Sequence, residues 1–126
     1  MAPTILVADD STTMRMIVQS VLSEAGWQVL AASNGKEALE LAQSSQIDLV
    51  VSDWNMPVMG GLDLIEGLRR QPRYEDVPVL VLTTEEDAIS KSAARDLGVS
   101  GWLNKPLDPQ VLVDLAAELL GAAPQD

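Results

Sequence analysis

The chain has 126 residues, 47% of them hydrophobic and 3% aromatic, with 19 acidic side chains against 8 basic ones. That length suits one domain with its own core, built from Val, Leu, Ile, Ala and Met, and the apolar content excludes a disordered chain. A net charge of -11 repels phosphate backbones and anionic lipid, which excludes nucleic acid and membrane surfaces as expected partners, while the absence of Cys and His excludes disulfides, thiolate sites, thiol catalysis and imidazole ligands.

In chain order, the run from Thr4 to Ala8 is short, apolar and rich in β-formers. Met14, Ile17, Val18, Val21 and Leu22 then recur at helical spacing, and Gly26 suits the C-terminal cap. A second strand spans Trp27 to Ala31. Asn34 starts a helix with Glu37 placed as its capping-box partner, and Ala38, Leu41 and Ala42 form the buried face. A third strand spans Asp48 to Ser52, followed by a helix marked by Leu62, Ile65 and Leu68. A polar loop from Gln71 to Val77 contains Pro72. The fourth strand is Pro78 to Thr83, and a helix from Glu86 to Leu97 is closed by Gly98. Gly101 to Asn104 is a short fifth strand. Asp108 and Pro109 read as N-cap and first residue of a last helix, with Leu112, Leu115, Ala116 and Leu119 facing inward. The segment 121–126 is expected to fray. No repeat, low-complexity segment or linker is present, so a single domain over 1–126 is expected.

Strands that are apolar nearly throughout, each followed by an amphipathic helix, predict a doubly wound parallel sheet covered on both faces. In such α/β sheets functional groups gather beyond the carboxyl ends of the strands. Asp9 and Asp10 follow the first strand and Asp53 the third. Thr83 and Thr84 end the fourth, and Lys105 and Pro106 follow the fifth. Taken singly, each has an ordinary role. Asp9 and Asp10 suit a helix cap, Thr83 another, Lys105 a solvated loop, and Asp53 a turn. Met14 and Arg15 read as a helix start rather than a partner contact, and Trp54 as a partly exposed wall.

Together, three carboxylates at one sheet edge repel one another unless a cation is present. With oxygen ligands alone the natural cation is Mg2+, with Mn2+ as the second candidate. An Asp beside that ion can attack phosphorus and form an aspartyl phosphate, while a Thr hydroxyl and a Lys ammonium meet the remaining phosphoryl oxygens. Asp53, bare at a strand end, is the expected phosphoacceptor.

The segments "DDSTTMR", "DWNMPVMGG", "TT" and "NKP", one after each of four strands, resemble the receiver domains of two-component response regulators, most of all the single-domain chemotaxis regulators. The resemblance spans nearly the whole chain. It implies a five-stranded flavodoxin-like three-layer sandwich of strand order 2-1-3-4-5, with Asp53 phosphorylated. It implies that Asp9, Asp10 and Asp53, with the backbone carbonyl of Asn55, hold Mg2+. Thr83 would be the switch hydroxyl, Lys105 the phosphate-bridging lysine and Lys105-Pro106 a cis peptide. Asn55 and Glu85 match positions that tune dephosphorylation, so the expected protein is a signalling phosphoacceptor with self-catalysed chemistry rather than an enzyme. Trp102 falls at the aromatic switch position, where the family mostly carries Tyr or Phe, and Gly60 replaces a frequent Asp.

The phosphodonor imidazole would come from a sensor histidine kinase or phosphotransfer protein, because the chain has no His. The resemblance further implies a target protein bound through the face of the fourth helix, fifth strand and fifth helix. A cytoplasmic monomer is expected, since no apolar run reaches the length of a membrane span and no targeting pattern opens the chain. The chain ends soon after Lys105, so no effector domain is expected. A phosphorelay intermediate and a receiver excised from a longer regulator remain open. Two other classes fit less well. A haloacid-dehalogenase-type phosphohydrolase carries its nucleophile on the first strand, and a flavodoxin-like FMN carrier needs small residues and Gly where this chain has two acids.

Overall fold

The alternation predicted from the sequence is realised as five strand–helix pairs. β1 (Thr4–Ala8) precedes α1 (Thr12–Glu24), β2 (Gln28–Ala32) α2 (Gly35–Ser44), and β3 (Leu49–Asp53) α3 (Gly61–Arg69). β4 (Val79–Thr83) precedes α4 (Lys91–Asp96), and β5 (Gly101–Asn104) precedes α5 (Pro109–Leu120). The structure, a computed structural model, describes residues 2–84 and 91–121. The expected start of the fourth helix at Glu86, the dephosphorylation position Glu85 and the fraying of 122–126 lie outside them.

All five strands are parallel in the order β2-β1-β3-β4-β5. The order reverses at β1, which has β2 on one side and β3 on the other, and a crevice opens beyond the carboxyl ends of β1 and β3. Alternate strand residues feed two cores. Leu6, Ala8, Val50, Val79 and Val81 meet Ala38, Ala42, Leu64, Ile65 and Leu68 of α2 and α3. Ile5, Val7, Leu49, Val51, Leu80 and Leu82 meet Val18 and Leu22 of α1 and Leu112 and Ala116 of α5. Each fully buried branched side chain of this kind stabilises the fold by about 1.5–3 kcal/mol.

Helix starts follow the cap chemistry. The Ser11 hydroxyl accepts the Met14 N–H at 3.2 Å, so Ser11, rather than Asp9 or Asp10, caps α1. Asn34 accepts the Glu37 N–H at 2.9 Å, but the Glu37 carboxylate takes the Ser33 hydroxyl at 3.0 Å instead of closing the box on Asn34. Asp108 accepts the N–H groups of Gln110 and Val111, with Pro109 at the first helical position. After α1 the chain reverses through Gly26 at φ 101°, a conformation that favours glycine.

Several expectations need correction. Ile17 is exposed, because Val18 and Leu22, four residues apart, set the buried stripe of α1 and Ile17 lies about 100° round the helix from it. On α3 the fully buried residues are Leu64, Ile65 and Leu68, while Leu62 is half-buried. The loop after α3 contains a short 3-10 helix, Pro72–Tyr74, whose buried Tyr74 hydroxyl lies 2.7 Å from the carbonyls of both Ala42 and Ser45. β2, β3 and β4 each start one residue later than predicted. Asp48 stays outside β3 because its carboxylate accepts the Thr4 N–H at 2.8 Å.

Candidate metal and phosphoacceptor site

Asp9 is the residue after β1, fully buried and held on every side but one. Its N–H donates to the Ala32 carbonyl at 3.1 Å, its carbonyl accepts Nη1 of Arg15 at 2.8 Å, and its Oδ1 accepts the Ser11 N–H at 2.9 Å. Oδ2 is buried with no hydrogen-bond partner among the described residues, its charged neighbour being the Lys105 ammonium at 3.5 Å. Asp10, next in sequence, is exposed.

Asp53 ends β3, 5% exposed, with its Oδ2 3.2 Å from the same ammonium. Lys105 follows β5, and its N–H donates to the Thr83 carbonyl at 2.8 Å, so β4 and β5 aim the lysine across the crevice. The Lys105-Pro106 peptide is cis. One oxygen from each of Asp9, Asp10 and Asp53 lies within 4.8 Å of the others.

The charges here oppose one another. Burial, then the neighbouring Asp9 carboxylate, raises the Asp53 pKa from 3.8 to about 6, against the pull of Lys105. Burial lowers the Lys105 pKa, but Asp9 and Asp53 together outweigh it and the net shift is upward. Lys105 therefore stays cationic and offsets only part of the carboxylate repulsion. The donor set is all oxygen, and Asp9 Oδ2, buried without a hydrogen-bond partner among the described residues and only partly balanced by Lys105, suits a hard divalent cation.

The turn after β3 is built close to this site. Gly61 begins α3 against the end of β3, and a Cβ there would lie 2.6 Å from the Asp53 carbonyl. The Gly61 N–H donates to the Trp54 carbonyl at 2.9 Å, and Gly60, the N-cap of α3, offers no side-chain cap bond. Val58 has φ 68°, costly for a β-branched residue, where the Met59 N–H turns back to the Pro57 carbonyl at 2.7 Å. Asn55 is exposed in this turn.

Thr83 closes β4, 5% exposed, its hydroxyl donating to the Thr84 carbonyl at 3.1 Å. Trp102 pairs in register with Val81 and packs against the same core layer. Its ring lies 5.7 Å from that of Trp54, tilted by 55°. Trp54 is 8% exposed, which corrects the expectation of a partly exposed wall: the residue after Asp53 turns into the core and meets the β5 indole. Asp9, Asp53 and Lys105 thus meet directly with Asp10 beside them, while Trp102 lies one layer away. Arg15, expected only as part of a helix start, also reaches the Asp9 carbonyl; its signal in the sequence is an Arg four residues beyond a helix N-cap.

A model of the response regulator receiver domain matches residues 5–117 of the chain. A chemotaxis protein CheY homolog of Campylobacter jejuni is 39% identical over 119 residues, covering 93% of this chain and 92% of the relative. Chemotaxis protein CheY1 of Helicobacter pylori is 40% identical, with 93% and 96% covered. The solved structure of chemotaxis protein CheY4 of Vibrio cholerae superposes with a TM-score of 0.89 at 37% identity, covering 94% of this chain and 99% of that one. Fold, sequence and the acidic crevice agree, and the chain belongs to the receiver domains of two-component response regulators, a family of signalling proteins.

Proposed function

We propose that this receiver domain accepts a phosphoryl group on Asp53 in a Mg2+-dependent reaction and, once phosphorylated, changes its binding to a partner protein. The observation that carries this reading is the meeting of Asp9, Asp10 and Asp53 oxygens within 4.8 Å, with Lys105 contacting two of those carboxylates. Asp9, Asp10, Asp53 and the Asn55 carbonyl would hold the ion, with Mn2+ as a substitute. When bound, Mg2+ supplies charge neutralisation at the carboxylates and the phosphoryl oxygens.

An ionised Asp53 oxygen attacks phosphorus in line. The new O–P bond forms as the P–N bond of a phosphohistidine breaks, its electron pair stays on the imidazole nitrogen, and that nitrogen takes up a proton. The donor histidine belongs to a sensor kinase or phosphotransfer protein. Lys105 meets one phosphoryl oxygen and Thr83 another, each replacing water with a fixed donor. Asn55 and Glu85 set how water reaches the acyl phosphate. The altered surface is α4, β5 and α5, in a cytoplasmic, monomeric protein. The chemotaxis names of the relatives favour a role in motility signalling.

The test uses acetyl phosphate with MgCl2. Wild type should label and EDTA should abolish labelling, whereas Asp53→Asn should not label because an amide is no nucleophile. Asp10→Lys should keep the fold and lose the Mg2+-dependent change in tryptophan fluorescence. Labelling of the Asn variant on Asp9 or Asp10 would move the acceptor, and an unchanged Mg2+ response in the Lys variant would move the metal.

A further inference from the structure

We propose that Arg15 is a positioning residue for the cation site, fixing the orientation of Asp9 through its main-chain carbonyl; this rests on the Mg2+ reading above. Asp9 lies just beyond the end of β1, where its carbonyl leaves the strand ladder and needs another donor. Ser11 caps α1, and the Arg15 N–H makes the helix's opening bond to the Ser11 carbonyl at 2.9 Å. Long side chains on a helix lean toward its N-terminus, so Arg15 reaches back over the cap. Its Nη1 donates to the Asp9 carbonyl at 2.8 Å, and Nη2 lies 3.5 Å from the Thr12 hydroxyl.

The effect on Asp9 is complete fixation of everything except one oxygen. The N–H is tied to β2, the carbonyl to Arg15 and Oδ1 to Ser11, which leaves the buried Oδ2 facing the crevice. Without Arg15 the Asp9 carbonyl loses its donor, and the peptide between Asp9 and Asp10 is restrained less tightly, by the Asp9 and Ser11 N–H bonds on either side of it. Both ligand side chains hang from that peptide. Partners of this kind behind a metal ligand typically change metal affinity by about 10–100-fold when removed.

The charge of Arg15 acts in the opposite direction. A guanidinium near the site disfavours a divalent cation, so on electrostatics alone its removal tightens binding. The sign of the change therefore separates positioning from charge. Mg2+ binding to the full chain is measured by the change in total tryptophan fluorescence and by calorimetry, with thermal unfolding in EDTA recorded alongside. Arg15→Met should weaken Mg2+ binding about tenfold, and Arg15→Lys, which restores a donor, should stay within about threefold of wild type. Unchanged or tighter binding by the Met variant would overturn the proposal. So would equal weakening in both variants with parallel losses of melting temperature, the pattern of a purely structural brace. Failure of wild type itself to bind Mg2+ would instead remove the metal reading on which this inference stands.

Discussion

Asp53 carries an electrostatic cost that its pH dependence should expose. Its pKa is raised to about 6 by burial first and by Asp9 second, so the folded chain holds this proton more tightly than the unfolded chain does. The sign follows directly: the contribution to stability is full below about pH 3.8 and is lost as pH rises through about 6. In EDTA, Asp53→Asn should therefore overtake wild type in stability as pH climbs through that window, by on the order of 2 kcal/mol at neutral pH. Urea unfolding at a series of pH values gives the difference between the two proteins, which cancels the carboxylates remote from the site, and a difference independent of pH would contradict the shift. Added Mg2+ should narrow the gap, since it favours the ionised carboxylate. The placement of Asp9, Asp10, Asp53, Thr83 and Lys105 at one edge of the sheet was legible in the sequence, because strand ends announce where a parallel sheet gathers its side chains. The burial of Trp54 was not legible, because the side chain after a strand end points in or out according to how the next turn is built. Here Gly61, packed on the Asp53 carbonyl, sets that turn.

At the level of elements, one side chain joins three segments. Arg69, the last residue of α3, donates from Nε to the Leu97 carbonyl at 2.7 Å and from Nη1 to the Tyr74 and Val77 carbonyls at 2.9 and 2.8 Å. Nη2 reaches the Gly98 carbonyl at 3.2 Å. The carboxyl end of α4 and the 3-10 segment are thereby pinned to α3. Arg69→Ala strands several carbonyls and should cost about 2–4 kcal/mol, read as a lower urea midpoint with an unchanged slope. Arg69→Lys should recover less than half of that, because an ammonium lacks the planar fork. A loss below about 0.5 kcal/mol for the alanine variant would show that water replaces these bonds freely. Strand existence was legible throughout, since near-continuous apolar runs suit a sheet covered on both faces. Boundaries were less so, and β3 begins after Asp48 because that carboxylate is used by the Thr4 N–H, a contact 44 residues distant in sequence. Pinning of the 71–77 loop by Arg69 and Tyr74 escaped the sequence for the same reason, since its partners are carbonyls, which no residue type announces.

Across the whole molecule, one sheet face runs from the proposed acceptor Asp53 toward β5, part of the proposed partner surface. Val81 and Thr83 alternate onto the side of the sheet that carries Trp54 and Trp102, and the two indoles are in contact. A phosphoryl group on Asp53 places new acceptor oxygens at the crevice, and a Thr83 hydroxyl drawn toward them leaves the Thr84 carbonyl it now bonds. In the proposed switch that movement frees room toward β5, and the half-buried Trp102 ring packs further inward against Trp54. Such a shift requires the active arrangement to lie only a few kcal/mol above the resting one, within the roughly 1–3 kcal/mol common for coupling between sites. Trp27, Trp54 and Trp102 all fluoresce, so 19F-labelled tryptophan and NMR are needed to resolve the three. Phosphorylation of wild type should move the Trp102 resonance and also that of its neighbour Trp54. Thr83→Ala should still label on Asp53 with acetyl phosphate but shift Trp102 by well under half as much. If Trp102 stays fixed in phosphorylated wild type, its indole is a packing residue, and output has to run through backbone movement after β4.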